Sequence, residues 1–148
     1  MINQAMFSSK RSDWETPPEL FAALDAEFHF EIDVCATPLN AKCERYFSEK
    51  EDALRLYWAP FVCWMNPPYG REISRWVHKA RVEAENGATV VALLPARTDT
   101  AWFHEDVFGH ADIRFMRGRL RFVGAPSNAP FPSMMAIFRP PLADREER

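Results

Sequence analysis

The sequence is poor in the residues on which several common kinds of site depend. Its 148 residues include three cysteines, four histidines and five glycines. The odd number of cysteines argues against a disulfide framework, and no histidine pair accompanies Cys35 and Cys43 at a zinc-ligand spacing. None of the histidines forms a recognisable nucleophile arrangement with a serine or a cysteine. The sequence therefore predicts a reducing, cytoplasmic setting and no metal.

Long hydrophobic runs are also absent. A membrane-spanning helix needs about 20 consecutive apolar residues, and no stretch approaches that length, so we expect no membrane segment. The N-terminal residues lack the apolar core of a secretory signal. The formal net charge of −3 argues against nonspecific coating of nucleic acid but allows a local basic patch. We expect one domain over residues 1–148, with flexible ends at about 1–12 and 141–148.

The spacing of apolar residues predicts alternating strands and helices. Thr16 is placed to cap the first helix, with Pro17 at its first position and Glu19 completing a capping box. We predict helices over 17–28, 40–47, 73–86 and 100–108, and strands over 30–34, 61–65, 89–96, DIRFMRG, LRFVG and SMMAIFRP. This order predicts an α/β fold with a mostly parallel sheet and a C-terminal antiparallel hairpin.

The segment VCWMNPPYG places Asn66-Pro67-Pro68-Tyr69 directly after a buried strand. Ligands of open α/β sheets bind beyond the carboxyl ends of strands. Prolines stiffen this exit and donate no hydrogen bonds, so it offers two acceptors, the Asn66 side-chain carbonyl and the Pro67 backbone carbonyl. Beside the ring of Tyr69, they suit a planar group that carries an NH₂ and is held in line with an electrophile. A Pro-Pro turn that only ends the strand is the alternative.

A cluster of arginines follows later in the chain. Its members, which alternate with apolar residues, are Arg114, Arg117, Arg119 and Arg121. They predict either phosphate contacts or a strand with one solvated face. Phe131, between two prolines, is suited either to covering a base or to packing inside a turn.

Six segments together carry a family resemblance: DWETPPELFAALDAEF, DVCATPLNAKCERYFS, WMNPPYG, LLPARTDTAWFH, RFMRGRLRF and NAPFPSM. In this order, over roughly residues 13–140, the chain resembles the phage-type DNA adenine-N6 methyltransferases, which use S-adenosylmethionine. The resemblance implies a Rossmann-like class I methyltransferase sheet and methyl transfer to the exocyclic N6 amine of adenine in DNA. It also implies a phage or prophage origin and action in the cytoplasm of a bacterial host.

The resemblance also implies roles for individual residues. The catalytic set is Asn66, Pro67, Pro68 and Tyr69, in which the first two would bind the amine and the tyrosine would stack on the base. The cofactor-binding set is Trp14, Thr16, Pro17, Asp33, Cys35 and Asn66. The arginine cluster would contact the nucleic acid, and the target adenine would be flipped out of its stack or lie in a single strand.

Two departures from the family pattern affect the cofactor end. No Gly-x-Gly follows Asp33, and only about thirty residues separate Asp33 from Trp64. Because each parallel crossover needs a dozen or more residues, we expect a trimmed sheet. For the cofactor ribose the candidates are Glu44, Glu49 and Asp52.

Two other functions remain open. The first is a methyltransferase acting on another amine, in RNA adenine, cytosine or a protein glutamine. The arginine cluster favours nucleic acid over protein, and Asn at position 66 favours adenine over cytosine. The second is a nucleic-acid-binding module with an inactive cofactor site, which the missing glycine loop allows.

Overall fold

A five-stranded sheet forms the centre of the molecule. The computed structural model describes residues 14–142, so the predicted flexible ends, apart from 141 and 142, lie outside the described residues. The strands are β1 (Ile32–Asp33), β2 (Val62–Met65), β3 (Thr89–Pro95), β4 (Asp112–Phe115) and β5 (Ser133–Phe138), in the spatial order β1-β2-β3-β5-β4. β1, β2 and β3 run parallel, whereas β5 is antiparallel to both of its neighbours. The predicted α/β fold, mostly parallel and then antiparallel at its C-terminal strand, is confirmed. The antiparallel partner that precedes β5 in the chain is β4, with residues 116–132 between the two strands.

Each face of the sheet is covered by one helix and by loop residues. The helices are α1 (Pro18–Phe28) and α2 (Ile73–Glu85). A 3₁₀ turn lies between them in the chain at Ala53–Arg55, and a π-helical turn follows β3 at Phe103–Val107. One face, which we call the α1 face, consists of Leu24, Trp64, Val91, Leu93, Phe122, Ala129, Phe131, Met135 and Ile137. The opposite α2 face includes Val77, Val90, Leu94, Phe103 and Phe138. β3 is therefore buried on both sides, as its continuous apolar run predicts. No described helix is long and apolar enough to cross a membrane.

The start of α1 differs from the predicted capping box. Pro17 is the N-cap and Pro18 the first helical residue, and no side chain caps the helix. The Thr16 hydroxyl instead accepts a hydrogen bond of 2.9 Å from Asn66 Nδ2. The capping prediction is wrong because a partner fifty positions away binds the hydroxyl that the local pattern assigned to the helix.

The predicted helix over 40–47 is also absent. The Thr37 and Asn40 side chains bind each other's backbone N–H, which favours a turn over a helix. Tyr46 then forms a single parallel bridge with Asp33. In the described part of the chain, only this bridge and the backbone hydrogen bonds around it pair with the outer side of β1. The sheet is therefore short there, as the thirty-residue gap predicts.

The LRFVG segment does not form the predicted strand. Gly118, two residues before the segment, and Gly124, its last residue, have φ of 74° and 79° and turn the chain at both of its ends. Its backbone instead binds separate partners, with Val123 N–H donating to Glu15 O at 3.1 Å. The segment packs Phe122 into the α1 face and does not extend the sheet.

Candidate functional site

Four segments of the chain meet at one edge of the sheet. Because β1, β2 and β3 are parallel, the residues that follow each of them leave the sheet at the same edge. β4 shares their direction, since both β3 and β4 are antiparallel to β5, so residues 116–132 also start there. This edge therefore brings together Asp33, the 66–69 motif, Arg97 and the arginine cluster. It is where open α/β sheets bind ligands.

The side chain of Asn66 is held in a fixed orientation. Its Nδ2 donates hydrogen bonds to the Trp14 carbonyl and the Thr16 hydroxyl, and the first of these is short. Its Oδ1 is buried and is one of two buried side-chain polar atoms in the described residues that have no hydrogen-bond partner. An unpaired buried acceptor costs about 1–3 kcal/mol, so its presence calls for an explanation. The geometry leaves Oδ1 able to accept a hydrogen from a ligand N–H.

Tyr69 is fixed at both its hydroxyl and its ring. β2 ends at Met65, which pairs with Ala92 of β3. The next residue of β3 is Leu93, and the Tyr69 hydroxyl donates a hydrogen bond to its carbonyl at 2.8 Å. Burial raises the pKa of Tyr69 well above its usual range, which keeps the hydroxyl a donor. The motif is therefore tied to β3 as well as to β2.

An aromatic cluster of Trp14, Tyr69, Phe122 and Phe131 closes this part of the edge. The Tyr69 ring centroid lies 6.3 Å from that of Phe122 and 5.7 Å from that of Phe131, in edge-on geometry. Trp14 lies 5.2 Å and 5.3 Å from the same two phenylalanines. The Arg97 guanidinium stands over the Phe131 ring at 5.7 Å. Phe131 is thus packed inside its turn, the second of the two arrangements that its flanking prolines suggested.

Asp33 organises the loop that follows β1. It is only 3% exposed, and its carboxylate accepts the N–H groups of Cys35 at 3.1 Å and Lys42 at 3.0 Å. Burial raises the pKa of Asp33, and the hydrogen bonds from Lys42 and Cys35 oppose that shift. The loop is therefore held by a buried carboxylate where related folds use glycines. A carboxylate has further lone pairs, so Asp33 can still accept a ligand donor.

Two adjoining clefts open at the same edge. The smaller recess is lined by Trp14, Glu15, Thr16, Asp33, Cys35, Asn40, Lys42, Trp64 and Asn66. The larger cleft, of about 550 Å³, is lined by 34–37, Asn40, Phe47, Ser48, Glu49, Asp52, Ala53, Leu54, Pro68, Glu72, Arg75 and Trp76. Cys35 and Asn40 line both, so the two clefts are continuous. The larger volume lies within the roughly 300–1,000 Å³ of typical small-molecule sites.

The candidate cofactor residues differ in which of the two clefts they line. Trp14, Thr16, Asp33, Cys35 and Asn66 come together around the recess, whereas Pro17 lines neither cleft. Of the three ribose candidates, Glu49 and Asp52 line the larger cleft and Glu44 lines neither. Sequence reasoning missed the wall formed by Glu72, Arg75 and Trp76. Their position at the N-terminal end of α2, just after the 66–69 motif, is the signal that could have found them.

The four arginines have different surroundings. Arg114 binds both carboxylate oxygens of Glu27, at 2.8 Å and 2.6 Å, and Arg121 donates to the carbonyls of Ala125 and Pro126. Arg117 and Arg119 are exposed and make no ion pair with any described residue. The cluster thus contains two cations already bound within the chain and two that face solvent.

The described residues contain no group of three or more histidine, cysteine, aspartate or glutamate side chains able to hold a metal ion. Together, the parallel strand ends, the oriented amide and the paired clefts define an α/β protein with a candidate ligand site at the carboxyl edge of its sheet. The chain belongs to the DNA N-6-adenine-methyltransferase (Dam) family, whose model matches residues 4–146.

Two phage relatives share this family description. The chain is 33% identical over 112 residues to the DNA N-6-adenine-methyltransferase of Escherichia phage T1, a match that covers 74% of this chain and 47% of that protein. It is 27% identical over 144 residues to the DNA N-6-adenine-methyltransferase of Haemophilus phage HP1, covering 90% of this chain and 83% of that protein. The chain thus spans about half the length of the phage T1 relative. The resemblance stated from the sequence motifs is confirmed.

Proposed function

We propose that the protein is an S-adenosylmethionine-dependent DNA methyltransferase that methylates the exocyclic N6 amine of adenine. The observation that carries the proposal is the buried Asn66 Oδ1, which has no hydrogen-bond partner among the described residues. Both amide hydrogens of Asn66 are donated within the chain, to the Trp14 carbonyl and the Thr16 hydroxyl, so only the acceptor Oδ1 remains for a ligand. Membership of the adenine-N6 methyltransferase family supports the same chemistry.

The orientation of Asn66 favours an amine over a carbonyl at the reacting position. With Oδ1 and the Pro67 carbonyl as acceptors, an NH₂ group can donate both of its hydrogens. A base with a carbonyl oxygen at that position would set acceptor against acceptor and leave buried groups unpaired, which costs about 1–3 kcal/mol each. Holding both hydrogens of the amine also favours the pyramidal nitrogen geometry needed for nucleophilic attack.

The residues of the two clefts fit S-adenosylmethionine. When bound, it supplies an electrophilic methyl group. The recess would hold its methionine part, with Asp33 as acceptor for the amino group, and the larger cleft would hold its nucleoside. Trp14, Thr16, Cys35 and Asn66 line the recess beside Asp33. We also infer that the sheet is a trimmed Rossmann-like methyltransferase sheet, which the parallel strands and the antiparallel β5 support.

Glu49 is the residue that we propose for the cofactor ribose. Phe47 N–H donates to the Asp33 carbonyl at 2.9 Å, so residues 46–47 run alongside β1 as a short strand would. Glu49 follows them at the carboxyl edge and lines the larger cleft. An acidic residue in this position binds ribose hydroxyls in dinucleotide-binding sheets.

Substituting Glu49→Gln is expected to weaken cofactor binding by about tenfold, because a hydrogen bond to a charged group contributes about 1.5–3 kcal/mol. Titration calorimetry with S-adenosylmethionine measures the change. Glu44→Gln is the matched control: this exposed acid lines neither cleft and should leave the affinity unchanged. Equal effects of the two substitutions would remove the proposed role of Glu49.

DNA would approach the same edge of the sheet. A base inside a duplex cannot reach Asn66, so we propose that the target adenine is flipped out or single-stranded. The exposed Arg117 and Arg119, in the segment that carries Phe122 and Phe131, are suited to phosphate contacts there. Arg114 and Arg121 would contribute less, because Glu27 and two backbone carbonyls already bind them.

The double substitution Arg117→Ala and Arg119→Ala is expected to weaken DNA binding and to lower the slope of log K against log salt by about 2, or about 1 per lost phosphate contact. Fluorescence anisotropy of a labelled duplex over a series of salt concentrations measures the slope. Arg114→Ala serves as the comparison and should leave the slope near that of the wild type. If the double variant retains the wild-type slope, these residues do not contact phosphate.

Transfer of label from S-adenosylmethionine tests the whole proposal. The protein is incubated with labelled cofactor and with DNA, RNA or protein, and the modified nucleoside or amino acid is identified after hydrolysis. N6-methyladenine from DNA is the expected product. Label in RNA adenine, cytosine or glutamine would instead establish one of the other amines as substrate. No transfer together with no cofactor binding by calorimetry would favour a binding module.

The phage origin of both relatives supports action in the cytoplasm of a bacterial host.

A further inference from the structure

The second buried polar atom without a partner is the hydroxyl of Ser133. Ser133 opens β5 and is 1% exposed. Its backbone carbonyl accepts the Met116 N–H at 3.1 Å, but its Oγ has no hydrogen-bond partner among the described residues. A buried hydroxyl without a partner destabilises a fold. Packing alone therefore gives no reason for a serine here, where alanine would fill nearly the same space.

Ser133 and Asn66 lie on the same face and at the same edge of the sheet. Side chains alternate along strands, so Ser133 shares the α1 face with Met135, and Asn66 shares it with Trp64. Ser133 is the register partner of Pro95, the last residue of β3. β3 lies between β2 and β5, which places the two unpaired oxygens on opposite sides of its carboxyl end.

The distance between these residues, which packed side chains fill, suits a planar base. Met65 pairs with Ala92 and Ser133 with Pro95, so Asn66 and Ser133 are two strand spacings of about 4.8 Å apart and offset by about two residues along the strands, a separation of about 12 Å. A hydrogen bond of about 3 Å at each end leaves about 6 Å, the span of one purine. The neighbouring side chains are those of the aromatic cluster, since Phe131 lies two residues before Ser133 and packs on Tyr69 and Trp14. A base can take the place of these aromatic rings, whereas the rings themselves form no hydrogen bond with either oxygen.

We propose that the Ser133 hydroxyl contacts the target base by donating a hydrogen bond to N3, the ring nitrogen of adenine on the side away from the amine. The proposal rests on the proposed function and adds a second polar contact to that of Asn66. A serine hydroxyl can donate, and the ring nitrogens of adenine are acceptors. The four rings of the aromatic cluster must move apart to admit the base. The bound base then forms one hydrogen bond with Asn66 Oδ1 and one with Ser133 Oγ.

Base analogues and a serine variant test this contact together. Duplex DNA is annealed from synthetic strands that carry, at the target position, deoxyadenosine or its 1-, 3- or 7-deaza analogue, each of which replaces one ring nitrogen by CH. The wild-type protein is expected to lose about 3- to 10-fold in kcat/KM on the 3-deaza analogue, the effect of one hydrogen bond. Ser133→Ala is expected to show the same loss on natural DNA and no further loss on that analogue.

Two controls separate base contact from structure. Ser74→Ala removes an exposed hydroxyl on α2 and should retain the wild-type response to every analogue. Ser133→Ala should unfold at the same or a higher urea concentration than the wild type, since it deletes an unpaired buried polar group. Three results would overturn the contact while leaving the methyltransferase proposal intact. They are wild-type turnover by Ser133→Ala, a wild-type loss on the 1- or 7-deaza analogue but not on the 3-deaza analogue, and an equal further loss by Ser133→Ala on all three analogues. A wild-type protein that methylates no DNA would overturn both.

Discussion

Asn66→Ala is expected to lower the rate of methyl transfer by about 10³-fold, the upper range for removal of one preorganised hydrogen-bonding group in an active site. The substitution deletes the acceptor that orients the amine, but it leaves the larger cleft and Asp33 in place. Cofactor affinity should therefore stay near the wild-type value. Single-turnover transfer of labelled methyl groups measures the rate, and titration calorimetry measures the affinity.

Thr16→Val separates the acceptor itself from its orientation. Valine has nearly the same shape as threonine but cannot accept the hydrogen bond from Asn66 Nδ2. Asn66 then keeps Oδ1 but loses one of the two bonds that fix its amide, so an intermediate loss of about tenfold is expected from one hydrogen bond. Near-normal turnover by Asn66→Ala would eliminate the amide from the mechanism, whatever the result for Thr16→Val.

Glu83→Ala is expected to destabilise the fold by about 3–5 kcal/mol, the usual cost of removing one partner of a buried ion pair. Glu83 is 2% exposed and accepts hydrogen bonds from Trp58 N at 2.6 Å, Ala59 N at 3.3 Å and Lys79 Nζ at 2.9 Å. Removing it leaves two backbone donors and an ammonium group without their acceptor. Domains of this kind are stable by only about 5–15 kcal/mol, so the loss is large.

Urea denaturation measures this loss. With a slope of about 2 kcal/mol per M, the midpoint should fall by about 2 M. Glu85→Ala is the matched control: it lies on the same helix, and its side chain is 57% exposed and pairs with Arg81 at 3.1 Å. An exposed pair of this kind contributes about 0.3–0.5 kcal/mol, so its midpoint should hardly move. Similar shifts for the two variants would mean that burial of Glu83 adds nothing to its interactions.

Helices and strands with regularly spaced apolar residues, and motifs directly next to them, could be predicted because the spacing of apolar residues reflects burial. The helix predicted over 17–28 is observed at Pro18–Phe28, and the strand predicted over 89–96 at Thr89–Pro95. The 66–69 motif follows its strand without an intervening residue, so its place at the carboxyl edge followed once the strand was recognised. These inferences needed only the alternation or helical spacing of apolar residues.

The rest depended on partners that local spacing does not reveal. The Thr16 hydroxyl binds Asn66 and does not cap α1, and the Asp33 carboxylate holds Lys42 nine positions away. A sequence pattern assigns such polar groups to the nearest backbone, whereas the fold offers them distant donors. Ser133 lay in a recognised motif, but nothing in its spacing shows that its hydroxyl is buried without a partner.

The strand order also bears on how the chain folds. No two neighbouring strands of the described sheet are joined by a tight turn, and the shortest connection between neighbours runs from Phe115 to Ser133. The β3–β5 pair brings Val90 against Phe138, so much of the intervening chain must be arranged before this pair can close. Closing a long loop costs chain entropy before the stabilising contacts between the strands can form. Sheets dominated by such pairings therefore fold in about milliseconds to seconds. We therefore expect the sheet at the base of the site to assemble late, after α1 and α2 have begun to form.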